Sequence, residues 1–167
     1  MKTTLNKIRA HSPCKEGWEK LLKYLGKTKA DDEPLLLLTI LDSNGLDDAL
    51  WCFRAIDGRD KEIRLYAVWC ARQVQHLMRD PRSRAALDVA ERYANGEATA
   101  EELDAARAVA WDAAWDAAWA AAWAAAGDAA RAAAGAAARK SAVWDAARVA
   151  QEARLREVCN EVQGEDK

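Results

Sequence analysis

Apolar positions recur along this chain at three- and four-residue intervals almost from end to end, and glycine or proline punctuates them. In "HSPCKEGWEKLLKYLGK", Trp18, Leu21, Leu22 and Leu25 share one helical face. Ser12 is the expected N-cap there, Pro13 the first helical residue and Gly26 the stop. "DDEPLLLLTILDSNG" repeats the grammar, with Asp32 or Glu33 before Pro34 and Asn44-Gly45 at the end. A third short helix fits "LDDALWCFRAIDG", ending near Gly58. "RDKEIRLYAVWCARQVQHLMRD" is longer, with Ile63, Tyr66, Ala67, Cys70, Val74 and Leu77 at helical spacing and a stop before Pro81. Asp80-Pro81 opens a further helix that closes at Asn95-Gly96, and Thr99 with Glu102 forms a capping box for the next. No run alternates with period two, so no strands are expected.

From Thr99 onward the chain becomes alanine-rich, and "AWDAAWDAAWAAAWAAAG" places Trp111, Trp115, Trp119 and Trp123 four residues apart. Each fourth residue lies about 40° further round a helix, so the four rings sweep an arc of about 120°. Trp144, Leu155, Val158 and Val162 fall in the same arc if the helix is unbroken. Alanine is the best helix former and no proline interrupts the run. A straight helix from Thr99 to Cys159 would span about 90 Å, longer than a domain of this size. It therefore bends or breaks near Gly127 to Gly135, or a second subunit covers the excess.

The expected fold class is thus all-α: a bundle of short helices over residues 1–97, then a long Ala/Trp-rich helix or helical hairpin over 98–160 packed on it, and a disordered tail at 161–167. Burying one indole removes about 150–250 Å² from water, an upper bound of about 4–6 kcal/mol per ring. The rings are expected to be covered, first by packing inside the molecule, otherwise by self-association or by another molecule.

Composition narrows the function classes. The 167 residues suit one domain or a domain with an appendage. A net charge of −2 with interspersed charges argues against a nucleic-acid partner. No apolar stretch reaches the roughly 18 residues of a membrane span, and the first residues lack the apolar centre of a signal peptide, so no membrane partner and a cytoplasmic location are expected. Cys14, Cys52, Cys70 and Cys159 match neither zinc nor CxxC spacing and read as free thiols, with no metal and no cofactor implied.

Catalytic grammar is missing: there is no G-x-S-x-G, no phosphate loop and no H-E-x-x-H. No catalytic residue is assigned and an enzyme is not expected. The densest polar group is Arg72, His76, Asp80 and Arg82. His76 could act as a base beside Asp80, but Asp80 as an N-cap and His76 near a helix C-terminus is the plainer reading. Asp112 and Asp116 lie one turn apart and read as the solvated edge of the tryptophan stripe. Together with Trp111, Trp115, Trp119, Trp123 and Trp144 they form the candidate packing or partner-binding surface.

"RLYAVWCARQVQHLMRDPRSRAALDVAERYANGEATAEELDAAR" followed by W-D-A-A repeats resembles a family of small helical immunity proteins of bacteria and phages. Residues from Ser12 to Gly58 look similar as well. The resemblance implies a non-enzymatic, antitoxin-like or anti-defence protein that binds and neutralises a toxin or defence effector; it supplies no functional residues. Two alternatives stand beside it: a self-assembling structural protein forming homo-oligomers, and a protein that sequesters a small nucleotide.

Overall fold

A computed structural model describes the backbone of residues 1–128 and 133–165 and the side chains of 1–118 and 144–164. The protein is all-α, with eight α-helices among the described residues. Two compact units form: Met1–Asp60 with Ala150–Lys167, and Lys61–Val149.

In the first unit, strand β1 (Lys2–Thr3) pairs antiparallel with β2 (Leu35–Leu36), Lys2 opposite Leu36 and Thr3 opposite Leu35. This minimal ladder is the exception to the expectation of no strands. It also displaces the helix expected at Pro34: the Leu37 amide bonds to the Met1 carbonyl at 3.1 Å, and α3 (Leu37–Asn44) starts only there. The partner strand lies more than thirty residues away, so no local signal could announce it. Thr3 is buried and its hydroxyl donates to the Ala55 carbonyl.

Helix α1 (Leu5–Ala10) is capped by the Thr4 hydroxyl, which accepts from the Lys7 amide. Helix α2 (Lys15–Tyr24) begins two residues later than Ser12-Pro13 suggests. Ser12 has φ +54°, a left-handed conformation incompatible with the extended N-cap geometry. Cys14 takes the cap instead, its Sγ accepting from the Gly17 amide at 3.4 Å. Gly26 follows the helix at φ +65°, and Gly45 follows α3 at φ +95°, each supplying the positive φ at the expected stop. Helix α4 (Leu46–Trp51) runs into a 3₁₀ turn, Cys52–Ala55, before Gly58.

The core of this unit includes Leu5, Ile8, Leu37, Ile40 and, from far along the chain, Leu155 and Cys159. Helix α8 (Ala133–Glu165) brings Leu155, Val158, Cys159 and Val162 into it at helical spacing, and Arg156 ion-pairs with Asp42 of α3 at 2.7 Å. Two expectations are corrected here. The boundary between compact units does not fall at residue 97, and residues 161–165 are helical, with Val162 buried, instead of a disordered tail. The C-terminal stretch is ordered because its apolar residues find a surface in the first unit.

In the second unit, α5 (Asp60–Gln73) ends earlier than Pro81 would require, and a 3₁₀ turn, Gln75–Leu77, follows. Val74 and Leu77, placed by their spacing on the apolar face of that helix, lie beyond its end and are exposed. The Arg84 guanidinium donates to the Met78 carbonyl at 2.6 and 3.0 Å and fixes this turn from α6 (Pro81–Ala94). Asp80 caps α6 as expected, accepting from the Arg82 amide at 2.8 Å.

After Asn95-Gly96, the Thr99 hydroxyl accepts from the Glu102 amide at 3.2 Å and the Glu102 carboxylate from the Thr99 amide at 2.7 Å. The capping box thus opens α7 (Ala100–Asp128), which folds back on α6. Gly127 and Gly135 both lie inside helices, and the link between Asp128 and Ala133, where the bend or break was expected, lies outside the described residues.

Candidate interaction face

Helix α7 packs on α6, and its buried side carries one leucine followed by alanines. Leu103 and Ala113 are buried, and Ala106 and Ala110 between them are half-buried on the same side. Trp111 and Trp115 point the other way, because two residues from Ala113 turn the helix by about 200°. They are 68% and 56% exposed. The expected internal packing of the stripe is therefore corrected for these rings. Alanine, not tryptophan, occupies the helix-helix seam, since small side chains let the two backbones approach. Trp144 on α8 is 66% exposed as well. The side chains of Trp119 and Trp123 lie outside the described residues.

The single winding face drawn through Trp144, Leu155, Val158 and Val162 divides: the aliphatic residues are buried and the indole is in solvent. Trp111, Ala114, Trp115 and Ala118 line a shallow apolar hollow on α7. Two exposed indoles one turn apart, with alanines between them, form an apolar surface on this side of α7.

Of the two aspartates beside the stripe, Asp116 is drawn across to α6, where its carboxylate meets the Arg82 guanidinium at 2.7 Å. Asp112 is exposed and forms no ion pair among the described residues. Asp104, seven residues before Trp111 and on the same side, holds Arg107 at 3.3 Å.

The four polar residues singled out in sequence do not form one centre. Arg72 ties α5 to α6 through Glu91 at 2.5 Å and Asp88 at 2.8 Å, and these carboxylates hold its guanidinium above its ordinary pKa. Arg82 is held up likewise by Asp80 and Asp116, while its side-chain hydrogen bonds and its backbone amide depress the Asp80 carboxyl. Asp80 thus serves as cap and ion-pair partner and stays ionised. His76 is exposed on the 3₁₀ turn. Arg72 and Arg82 thus act as clasps between and within helices, and among the described residues no hydrogen bond or ion pair joins His76 to Asp80.

One feature escaped sequence reasoning. In the first unit a cavity of about 90 Å³ is lined by Trp18, Leu21, Trp51, Cys14 and Cys52 among others. Its polar wall is set by Asn44, whose amide donates to the Gly17 carbonyl and the Asp48 carboxylate, both at 2.8 Å. A Cβ at Gly17 would sit 2.6 Å from the Asp48 oxygen, so the close approach requires glycine. These residues come from α2, α3, α4 and the 3₁₀ turn after it, and no spacing along the chain links them.

Burial, reinforced by the Asp48 charge, pushes the Cys52 thiol up to about 12, and burial raises Cys159 too. Cys14 is exposed. Since the thiolate is the nucleophile, a maleimide at pH 7.5 is expected to label Cys14 in the folded protein within minutes. Cys52 and Cys159 should be labelled only after unfolding. Mass spectrometry of peptides checks this; prompt native labelling of Cys52 would contradict the buried, protonated thiol described here.

Comparison with protein families, curated proteins and solved structures finds no match for this chain. Among the described residues no group of three or more His, Cys, Asp or Glu is placed to hold a metal ion, and no helix is long and apolar enough to cross a membrane.

Proposed function

We propose that this chain is a non-enzymatic binding protein of the immunity or anti-defence kind, acting in the cytoplasm, that holds a toxin or defence effector against the exposed indole face of α7. The observation that carries the reading is the exposure of Trp111 and Trp115 on a helix whose opposite, alanine side makes the intramolecular contact. Tryptophan is the residue type most enriched among those that dominate protein interfaces, and it gives large contact area at small entropic cost. The acidic setting disfavours phosphate-bearing ligands. The arginines and Asp80 of the polar segment are engaged in clasps between and within helices, which supports a binding role over a catalytic one. The immunity-type partner class comes from the resemblance of the central sequence.

The test compares wild type with the Trp111→Ala/Trp115→Ala double variant in stoichiometric capture of a toxin or effector from the host's lysate. Retained fold is checked by circular dichroism. The double variant is expected to lose partner affinity by more than tenfold with its helix content unchanged, since neither ring is part of the core. Capture that is indifferent to both substitutions, or no stoichiometric partner in repeated trials, removes the proposal.

Self-association is the second reading, favoured by the apolar hollow between Trp111 and Trp115 that an indole of another copy could enter. A monomeric mass by light scattering at micromolar concentration excludes it.

A further inference from the structure

We infer that the α7 face recognises an arginine-bearing segment of its protein partner, with a guanidinium lying on the Trp115 or Trp111 indole while it ion-pairs with Asp112. The inference rests on the docking role proposed above and adds the chemistry of what docks.

Charge complementarity carries it. Asp112 stands three residues before Trp115, a spacing that makes the two side chains neighbours on a helix surface. Trp111 and Trp115 are themselves one turn apart, so an exposed carboxylate borders a pair of exposed indoles. Asp112 has no cation among the described residues, whereas Asp116 has Arg82 and Asp104 has Arg107. Arg107 precedes Trp111 by one turn and is the nearest guanidinium in sequence to that ring, but it is turned to Asp104. Among the described residues the face is left with an unpaired carboxylate and exposed indoles, and its one guanidinium, Arg107, is engaged by Asp104.

A guanidinium satisfies both features at once. It is planar, so it stacks on an indole, and its edge donates to a carboxylate. The chain itself places guanidinium groups over aromatic rings: Arg54 lies 4.5 Å from the Trp51 ring centre, and Arg64 lies 4.8 Å from that of Tyr93. At Trp111 and Trp115 the equivalent i+3 positions are Ala114 and Ala118, which leave room for a cation from outside.

A second copy of this chain fits less well. A two-fold contact sets the same face against itself, bringing one Asp112 towards another while Arg107 is already engaged. Phosphate-bearing partners meet the same carboxylate and are repelled.

The experiment uses the full chain and fluorescein-labelled helical peptides of alanine and leucine that carry two residues one turn apart: arginine, lysine or glutamine. Fluorescence anisotropy is read at 50 and 300 mM salt. The arginine peptide is expected to bind at least tenfold tighter than the glutamine peptide, with the lysine peptide between them because an ammonium cannot stack as a plane. Asp112→Asn should remove most of the arginine preference, and raising salt should reduce it. Trp115→Ala should weaken the arginine peptide at both salt concentrations. Equal binding of the arginine and glutamine peptides, or binding of neither, overturns the arginine inference. If Trp111→Ala/Trp115→Ala still abolishes capture of the natural partner, the docking face stands and only its chemistry falls. If capture is also unaffected, the docking reading falls with it. Concentration-dependent dimerisation abolished by Trp115→Ala assigns the face to a second copy and overturns both.

Discussion

Leu155→Ala is expected to lower the unfolding free energy by about 2–5 kcal/mol, the range for deleting a fully buried leucine side chain. Leu155 is 0% exposed and lies in the C-terminal part of α8, more than a hundred residues from Leu5, Ile8 and Ile40, which share its unit. Part of the cost is lost transfer energy, and part is the cavity left behind, because the surrounding helices can only partly collapse into it. Asp42 and Arg156 pin α8 next to this position and limit that relaxation. Urea titration followed by circular dichroism reads the loss, with Val149→Ala as control. Val149 is exposed and its replacement should change stability by less than about 0.5 kcal/mol. A Leu155 variant as stable as the control would mean that the end of α8 does not contribute to the first unit's core.

The second large effect is expected where the side chain is smallest. Ala113 is 1% exposed in the seam of α7 against α6. Ala113→Leu should destabilise the helical pair by about 1–3 kcal/mol, because a well-packed seam accepts added methylenes only by moving its backbones apart. Its neighbour Trp111 provides the contrast: Trp111→Leu, at an exposed position, should be near neutral for folding while weakening partner binding. Hydrogen exchange of α6 amides gives the local readout. Unchanged protection in Ala113→Leu would show that the seam is looser than described. By size alone one would rank Trp111 as structural and Ala113 as replaceable; the structure reverses that order.

The helical grammar was legible wherever the physics is local. The Thr99 and Glu102 capping box, the Asp80 cap, the stops at Gly26, Gly45 and Gly96, and the helicity of the alanine run all follow from side chains acting on backbone groups within a few residues. The departures arise where a distant partner intervenes. Leu35 and Leu36 pair with Lys2 and Thr3 and delay α3 past Pro34. Val162 becomes ordered because the first unit receives it. Of the candidate site, the sequence located the indoles and Asp112, since a four-residue repeat of tryptophan is visible without coordinates. It could not say which side of α7 faces the molecule. An indole stripe and an alanine stripe both have helical period, and apolar burial favours the larger rings.

By itself, then, the sequence determined a mostly helical chain, the ends of most of its helices, and the presence of an aromatic repeat with acidic edges and no catalytic motif, because each of these depends on neighbours along the backbone. Only the tertiary structure decided that the end of α8 completes the first unit's core, that Arg72 and Arg82 are clasps between helices, and that Trp111 and Trp115 face solvent. The physical reason is that close helix packing is governed by how near two backbones can come. Alanine permits that approach and tryptophan prevents it, so small residues took the seam and Trp111 and Trp115 were left outside.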